Sequence, residues 1–129
     1  MKLRSIATLL LAVICVVGPI FAAVLYESKR SENVTAEIVA RAPERGDYSP
    51  KKLTVPVGEP VRLQVRNIDT VMHGFAIPGL GVDAGEIPAG NVILLEFTPE
   101  KAGVYDFYCT VWCSESHMQM RGVLEVVAK

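Results

Sequence analysis

The chain has 129 residues, half of them apolar, with 14 acidic and 13 basic side chains and a formal net charge of −1. A chain of this length is expected to hold one domain. Because the charges nearly balance, the sequence makes no electrostatic case for binding nucleic acid.

The first element is an apolar run from Ile6 to Tyr26 that contains no charged side chain. As a helix at about 1.5 Å per residue, this run reaches about 31 Å, close to the hydrocarbon thickness of a bilayer. We therefore expect residues 1–26 to be a single-pass transmembrane anchor in the cell membrane. A signal peptide, cleaved or uncleaved, is the alternative, although a signal usually has only about 7–15 apolar residues. Lys2 and Arg4 favour a cytoplasmic N-terminus, with the rest of the chain on the extracytoplasmic (periplasmic) side.

The remainder divides into a charged linker with a first strand at 27–49 and a main domain at 50–129. Short stretches with alternating or continuous apolar residues, bounded by turn residues, indicate strands. They lie near 34–40, 53–57, 61–66, 73–77, 91–98, 104–109 and 122–127. No segment outside the anchor has a helical period. About seven strands in roughly 95 residues predict an all-β fold, a two-sheet Greek-key sandwich.

The stretch from Cys109 to Met120 concentrates side chains that bind soft metal ions. Two thiols, one imidazole and the thioether of Met120 fall within twelve residues, with Cys113 and His117 between the two ends. Thiolate and thioether ligands select copper before magnesium or calcium, and imidazole suits copper as well. The other histidine of the chain, His73, begins a predicted strand, and a sandwich can bring that position beside the loop.

Other interpretations of these residues are open. Two cysteines in an exported domain first suggest a disulfide, but a Cys109–Cys113 bond leaves His117 and Met120 without a role. Two cysteines and two histidines also suit zinc. The spacing C-x3-C-x3-H differs from the usual zinc knuckle, and the methionine would again have no role. His73 by itself is typical of a half-buried strand histidine with a satisfied hydrogen bond.

The pattern C-x3-C-x3-H-x2-M, with a histidine upstream, resembles the Cu-A loop of cytochrome c oxidase subunit II and of the C-terminal domain of nitrous-oxide reductase. H-G-F at 73–75, A-G-V-Y-D-F-Y-C at 102–109 and H-M-Q-M-R-G at 117–122 extend the likeness. The resemblance covers most of the main domain. It implies a cupredoxin-like Greek-key sandwich and a Cu-A centre with two copper ions.

The resemblance also implies a role for each ligand. Two thiolates would bridge the copper ions, each histidine would bind one ion, and a thioether and a backbone carbonyl would be weak ligands. The residues so implied are His73, Cys109, Val111 (through its backbone carbonyl), Cys113, His117 and Met120. Family members tend to have an acid three residues before the upstream histidine, where this chain has Thr70. The resemblance therefore does not identify which residue hydrogen-bonds to His73.

The implied function is transfer of one electron at a time from an exported cytochrome c or small cupredoxin. An anchor followed by a Cu-A domain favours subunit II of a terminal cytochrome c oxidase, with the haem-copper large subunit as partner. A free-standing anchored carrier and a nitrous-oxide-reductase-like Cu-A protein are alternatives. The sequence offers no open coordination position or general base, so we do not expect the chain to be catalytic on its own.

Three further functions fit part of the pattern. A mononuclear blue-copper protein needs only His73, Cys113, His117 and Met120, so Cys109 separates it from a Cu-A protein. A copper-delivery protein would exchange its metal readily. A disulfide-stabilised binding module would fold equally well without metal.

Overall fold

A computed structural model describes residues 3–31 and 34–128, with the side chains of the N-terminal helix described from 11 to 29. The chain divides into two compact units, Met1–Asn33 and Val34–Lys129. Lys2 and the side chain of Arg4, on which the predicted orientation depends, lie outside the described part.

The first unit contains helix α1, Leu3–Ser31. Its segment Leu11–Lys29 has a mean hydropathy of 2.0, and among the described helices it is the one long and apolar enough to cross a membrane. The side chains along this segment are exposed, which is consistent with a membrane anchor; a signal sequence has the same properties. The helix continues past the predicted boundary at Tyr26, because its backbone hydrogen bonds are internal and tolerate charged side chains in the last turns.

The second unit forms eight β-strands within the described residues 34–128. They are β1 Ala36–Ala40, β2 Lys52–Pro56, β3 Val61–Asn67, β4 His73–Ile77, β5 Val82–Ile87, β6 Val92–Phe97, β7 Gly103–Tyr108 and β8 Arg121–Val127. One sheet has the order β1-β3-β6, and the other has the order β2-β8-β7-β4-β5. β1 is parallel to β3 and β2 is parallel to β8, whereas the other pairs are antiparallel. The predicted all-β sandwich is confirmed.

Strand β3 shows how the side-chain pattern produces the core. Val61, Leu63 and Val65 are each at most 1% exposed, and they belong to the hydrophobic cluster between the sheets. Arg62 and Arg66 alternate with them and form ion pairs at the surface. Because successive side chains point to opposite faces of a strand, the alternation read from the sequence determines which face is buried.

Strand β5 was not predicted, so the sandwich has one strand more than expected. Its sequence contains Asp83, Gly85 and Glu86, which interrupt the apolar pattern of a buried strand. β5 is at the edge of its sheet and, among the described strands, pairs with β4 alone. An edge strand has one side in water and accommodates charged residues, which is why the apolar pattern failed to reveal it.

Candidate metal centre

The loop between β7 and β8 carries most of the predicted ligands. The two strands are antiparallel neighbours with Tyr108 opposite Arg121, so both ends of the loop are held by the sheet. The N–H of Cys109 also donates to the carbonyl of Met120 across the loop, at 3.1 Å. β4 is the other neighbour of β7, and this places His73, at the start of β4, beside the loop.

The first group of donor atoms surrounds the sulfur of Cys109, and we call it the His73 half-site. The Nδ1 atom of His73 lies 4.0 Å from Cys109 Sγ. The backbone oxygen of Val111 lies 3.1 Å from the same sulfur. His73 is fully buried and Cys109 is nearly so, so this half-site is enclosed by protein.

The second group surrounds the sulfur of Cys113, and we call it the His117 half-site. The Nδ1 atom of His117 lies 3.6 Å from Cys113 Sγ, and the Sδ atom of Met120 lies 3.7 Å from it. Met120 is buried, whereas His117 is only half-buried. The His117 half-site is therefore the one that approaches solvent.

Cys109 and Cys113 join the two half-sites. Their sulfurs are 3.9 Å apart and both thiols are free, whereas a disulfide requires about 2.05 Å. A metal ion at about 2.3 Å from each sulfur, an ordinary thiolate bond length, can contact both across this gap. Within the described residues, the donor atoms of His73, Cys109 and Cys113 lie within 4.8 Å of one another. The sulfur-rich donor set fits copper.

The acid that orients His73 is Asp69, four residues before it. Asp69 Oδ2 lies 3.0 Å from His73 Nε2. Donation from Nε2–H to the carboxylate leaves the Nδ1 lone pair facing Cys109, as a ligand requires. The position expected from the resemblance, three residues before the histidine, is Thr70, and the adjacent acid takes its place.

Several contacts stabilise the Asp69 carboxylate in its charged form. Burial by itself raises the pKa of Asp69. Hydrogen bonds from the backbone N–H groups of Ala42 and Thr70, the bond with His73 and the charge of Arg45 outweigh burial and lower the pKa to about 2. The carboxylate therefore stays ionised and continues to accept a hydrogen bond from His73 at neutral pH.

The two thiols differ in their electrostatic surroundings. Burial raises the pKa of Cys109, but its contact with His73 and the hydrogen bond donated by the backbone N–H of Gly74 outweigh burial, and the pKa is lowered. Burial, followed by the charge of Cys109, raises the pKa of Cys113. The thiolate is the form that binds metal. The lowered pKa of Cys109 therefore favours metal binding, whereas binding to Cys113 must displace its proton.

Gly74 allows strand β4 to approach the ligand loop. A Cβ atom at this position would meet the side-chain oxygen of Thr110, lie 3.0 Å from the backbone nitrogen of Thr110 and 3.1 Å from Val111 Cγ2. A larger residue at position 74 would push β4 away from the loop at Thr110. His73 directly precedes Gly74 and Cys109 directly precedes Thr110, so His73 and Cys109 would move apart.

Sequence reasoning missed the contribution of the segment Ala42–Tyr48, which lies between β1 and β2 and was predicted only as part of the linker and first strand at 27–49. Tyr48 is 1% exposed, and its hydroxyl donates to the carbonyl of Gly74 at 2.5 Å. The Tyr48 ring packs edge-on against Phe75 and Phe107, with centroids 5.6 and 5.5 Å away. An aromatic residue in an otherwise polar turn was the available sign that this segment is buried.

The surface next to the His117 half-site is apolar. Trp112 and Met118 are each 70% exposed, and the Trp112 ring lies 5.7 Å from the His117 ring between centroids. A cleft of about 560 Å³ opens beside His117 and Met118, with Tyr108 and Arg121 also in its wall. The half-buried histidine thus lies beside an exposed aromatic ring.

Comparison with known proteins identifies the family of the domain. The cupredoxin-like domain model matches residues 12–126. The nitrous-oxide reductase of Ralstonia nicotianae is 31% identical over 103 residues, which cover 78% of this chain and 15% of that enzyme. The chain thus spans a small part of the curated relatives that it matches.

Two solved structures share the fold. A chain of a haem-copper terminal oxidase dimer aligns with a TM-score of 0.62 and 22% identity, covering 96% of this chain and 99% of that one. The periplasmic domain of cytochrome oxidase subunit II from Bradyrhizobium japonicum aligns with a TM-score of 0.57 and 21% identity, covering 75% and 87%. The resemblance to nitrous-oxide reductase and, in fold, to cytochrome oxidase subunit II is confirmed. The chain belongs to the cupredoxin-like domain family.

Proposed function

We propose that this protein transfers electrons through a dinuclear Cu-A centre. The proposed ligands are His73, Cys109, the Val111 carbonyl, Cys113, His117 and Met120. The observation that carries the proposal is that two similar half-sites meet at the two cysteines. Each half-site has one imidazole and one weaker donor beside a cysteine sulfur. The two sulfurs are 3.9 Å apart and not bonded to each other. If two copper ions were bound, each would have its own imidazole and both would be held by the two thiolates.

A mononuclear blue-copper centre accounts for fewer of these contacts. One ion bound by His73, Cys113, His117 and Met120 would leave Cys109 unused. Yet Cys109 is buried, its thiol pKa is lowered, and its sulfur lies 4.0 Å from His73 Nδ1. Its sulfur is one of three clustered donor atoms that lie within 4.8 Å of one another, and a second ion would give it a role.

The residues around the centre suit electron transfer rather than catalysis. Two copper ions bound there would supply a one-electron couple shared over both ions. The buried donors are held by strands β4, β7 and β8, which limits their movement when the charge changes. His117 is half-buried and lies beside the exposed Trp112. A redox partner docked on the surface around Trp112 would therefore come close to a proposed ligand.

We further propose that α1 anchors the protein in the cell membrane with the copper domain on the extracytoplasmic side. The length and hydropathy of Leu11–Lys29 support this. An exported cytochrome c or cupredoxin would be the donor, and the large subunit of a haem-copper oxidase the acceptor. The alignment with an oxidase chain over nearly the full length of both chains favours a subunit II role over a free-standing carrier.

The decisive experiment measures copper content and the EPR spectrum of the full chain in detergent. We expect two copper ions per chain and a hyperfine pattern from two equivalent nuclei sharing one electron. One copper per chain with a single-nucleus pattern would replace the proposal with a blue-copper centre. Co-purification from native membranes with a haem-containing subunit tests the oxidase role, and isolation of the chain without any haem protein would favour the free-standing carrier.

A further inference from the structure

The segment Ala42–Tyr48, which we call the bracing segment, contributes none of the proposed ligands but contacts both parts of the chain that do. We propose that it positions the metal ligands, with Arg45 acting on His73 through Asp69 and Glu44 acting on the His117 half-site through Ser116. This inference rests on the proposed copper site. It assigns a role to residues that have no place in the ligand pattern.

Arg45 and Ala42 hold the Asp69 carboxylate from two sides. Arg45 Nη2 lies 2.8 Å from Asp69 Oδ1, and the N–H of Ala42 donates to Oδ2 at 2.7 Å. A second guanidinium nitrogen, Nη1, donates to Thr70 Oγ1 at 3.3 Å. The Asp69 side chain is only 3% exposed. With both oxygens held, the carboxylate keeps Oδ2 directed at His73 Nε2, which in turn keeps Nδ1 directed at Cys109.

Glu44 connects the same segment to the other half-site. Its Oε1 atom accepts the backbone N–H of Ser116 at 3.3 Å. Ser116 is the residue directly before the short 3-10 turn His117–Gln119. The pKa of Glu44 is lowered, first by hydrogen bonding with the Ser116 side chain and to a smaller extent by this backbone bond. Since Glu44 is exposed, the contact is a weak one, and it supports the placement of the ligand turn without determining it alone.

Tyr48 completes the set from within the core. Its hydroxyl bonds to the carbonyl of Gly74, the residue after His73, and its ring packs against Phe107, two residues before Cys109. The bracing segment therefore contacts the chain directly after His73 and two residues before Cys109. His73 and the ligand loop are far apart in sequence, so their relative position depends on contacts of this kind.

The test compares Arg45→Gln with Arg66→Gln in the full chain in detergent. Arg66 is the matched control, because it forms an ion pair of the same length, 2.8 Å, with Glu37 in the sheet that carries no proposed ligand. Each copper-loaded protein is mixed with an excess of a copper chelator, and the loss of the copper absorption is followed. We expect Arg45→Gln to release copper about fivefold faster than the wild type and Arg66→Gln to release it at the wild-type rate.

Two additional variants identify the route of the effect. Arg45→Lys keeps the charge but not the two-nitrogen contact, and its release rate should fall between those of the wild type and Arg45→Gln. In Asp69→Asn, adding Arg45→Gln should cause no further acceleration, because the arginine then lacks the carboxylate on which it acts. Equal rates for Arg45→Gln and the wild type, equal acceleration by Arg66→Gln, or additive effects with Asp69→Asn would each overturn the inference.

A measurement on copper-free protein separates this inference from the proposed function. Hydrogen–deuterium exchange should be faster in the peptide around His73 in Arg45→Gln but unchanged there in Arg66→Gln. If the wild type bound one copper ion instead of two while these differences persisted, the Cu-A proposal would fail and the positioning role would stand. Exchange at the wild-type rate in Arg45→Gln would contradict the positioning role whatever the copper count.

Discussion

Cys109 and Cys113 bring their sulfur atoms to 3.9 Å from each other in the interior of the loop between β7 and β8 without forming a disulfide. Each sulfur has a different imidazole as its neighbour, His73 for Cys109 and His117 for Cys113. This arrangement makes the two cysteines the connection between the two half-sites. Removal of either one should therefore affect both proposed ions.

We expect Cys109→Ser to lose the two-copper stoichiometry and the shared-electron EPR pattern, because a hydroxyl does not bridge copper ions as a thiolate does. Cys15→Ser is the matched control, since Cys15 is an exposed free cysteine of α1. It should retain the copper content and the spectrum of the wild type. A Cys109→Ser protein with two copper ions and the native spectrum would exclude a bridging role for this sulfur.

Met120→Leu should leave the fold intact and alter the metal site. Leucine has nearly the same volume as methionine, so we expect a loss of less than about 1.5 kcal/mol in the free energy of unfolding, although the side chain is buried. Loss of the thioether beside Cys113 should shift the visible spectrum and the reduction potential while copper stays bound. Met118→Leu is the control, because Met118 is 70% exposed and is not a proposed ligand. An unchanged spectrum and potential in Met120→Leu would remove Met120 from the ligand set.

The depressed pKa of Asp69 predicts how stability changes with pH. The pKa is about 2 in the folded protein against an ordinary value of 3.8, so the folded state favours the ionised carboxylate. Its contribution, about 2 kcal/mol, is fully present above about pH 4 and is lost as the pH falls towards 2. Urea unfolding of copper-free protein should show this loss in the wild type and not in Asp69→Asn.

Asp83→Asn is the control for that series, because Asp83 is an exposed aspartate of β5. Its stability should follow the wild-type pH dependence. A decline of equal size in wild type and Asp69→Asn would mean that another acid is responsible. Copper affinity supplies a second readout: Asp69→Asn should bind copper about 10–100-fold more weakly, as is typical when the partner of a ligating histidine is lost.

Tyr48→Phe should destabilise the copper-free protein by about 1–2 kcal/mol, because the buried carbonyl of Gly74 loses a donor while the ring packing is retained. Tyr105→Phe is the matched control, since its hydroxyl bonds to the carbonyl of Lys101 at the surface, at 2.9 Å. That change should cost less than about 0.5 kcal/mol. Urea unfolding measures both variants, and equal losses would show that the Tyr48 hydroxyl has no special role.

Prediction from the sequence worked well where the pattern is local. Alternation in β3 identified its buried face, and the offsets within Cys109–Met120 placed four side chains in one loop. Prediction failed for β5, where acidic residues and a glycine hide an edge strand. It also left the acid that supports His73 unassigned, because its place relative to the histidine is shifted by one residue from the family pattern.

What the sequence by itself determined is the chemistry of the loop ligands. Cys109, Cys113, His117 and Met120 are separated by a few covalently linked residues, so their proximity follows from the chain itself. Tertiary structure decided the rest. His73 reaches the site only because β4 lies beside β7. The bracing segment meets Asp69 only because β1 pairs with β3, with Ala40 opposite Asn67. Those contacts depend on the burial of side chains distant in sequence, and no local spacing encodes them.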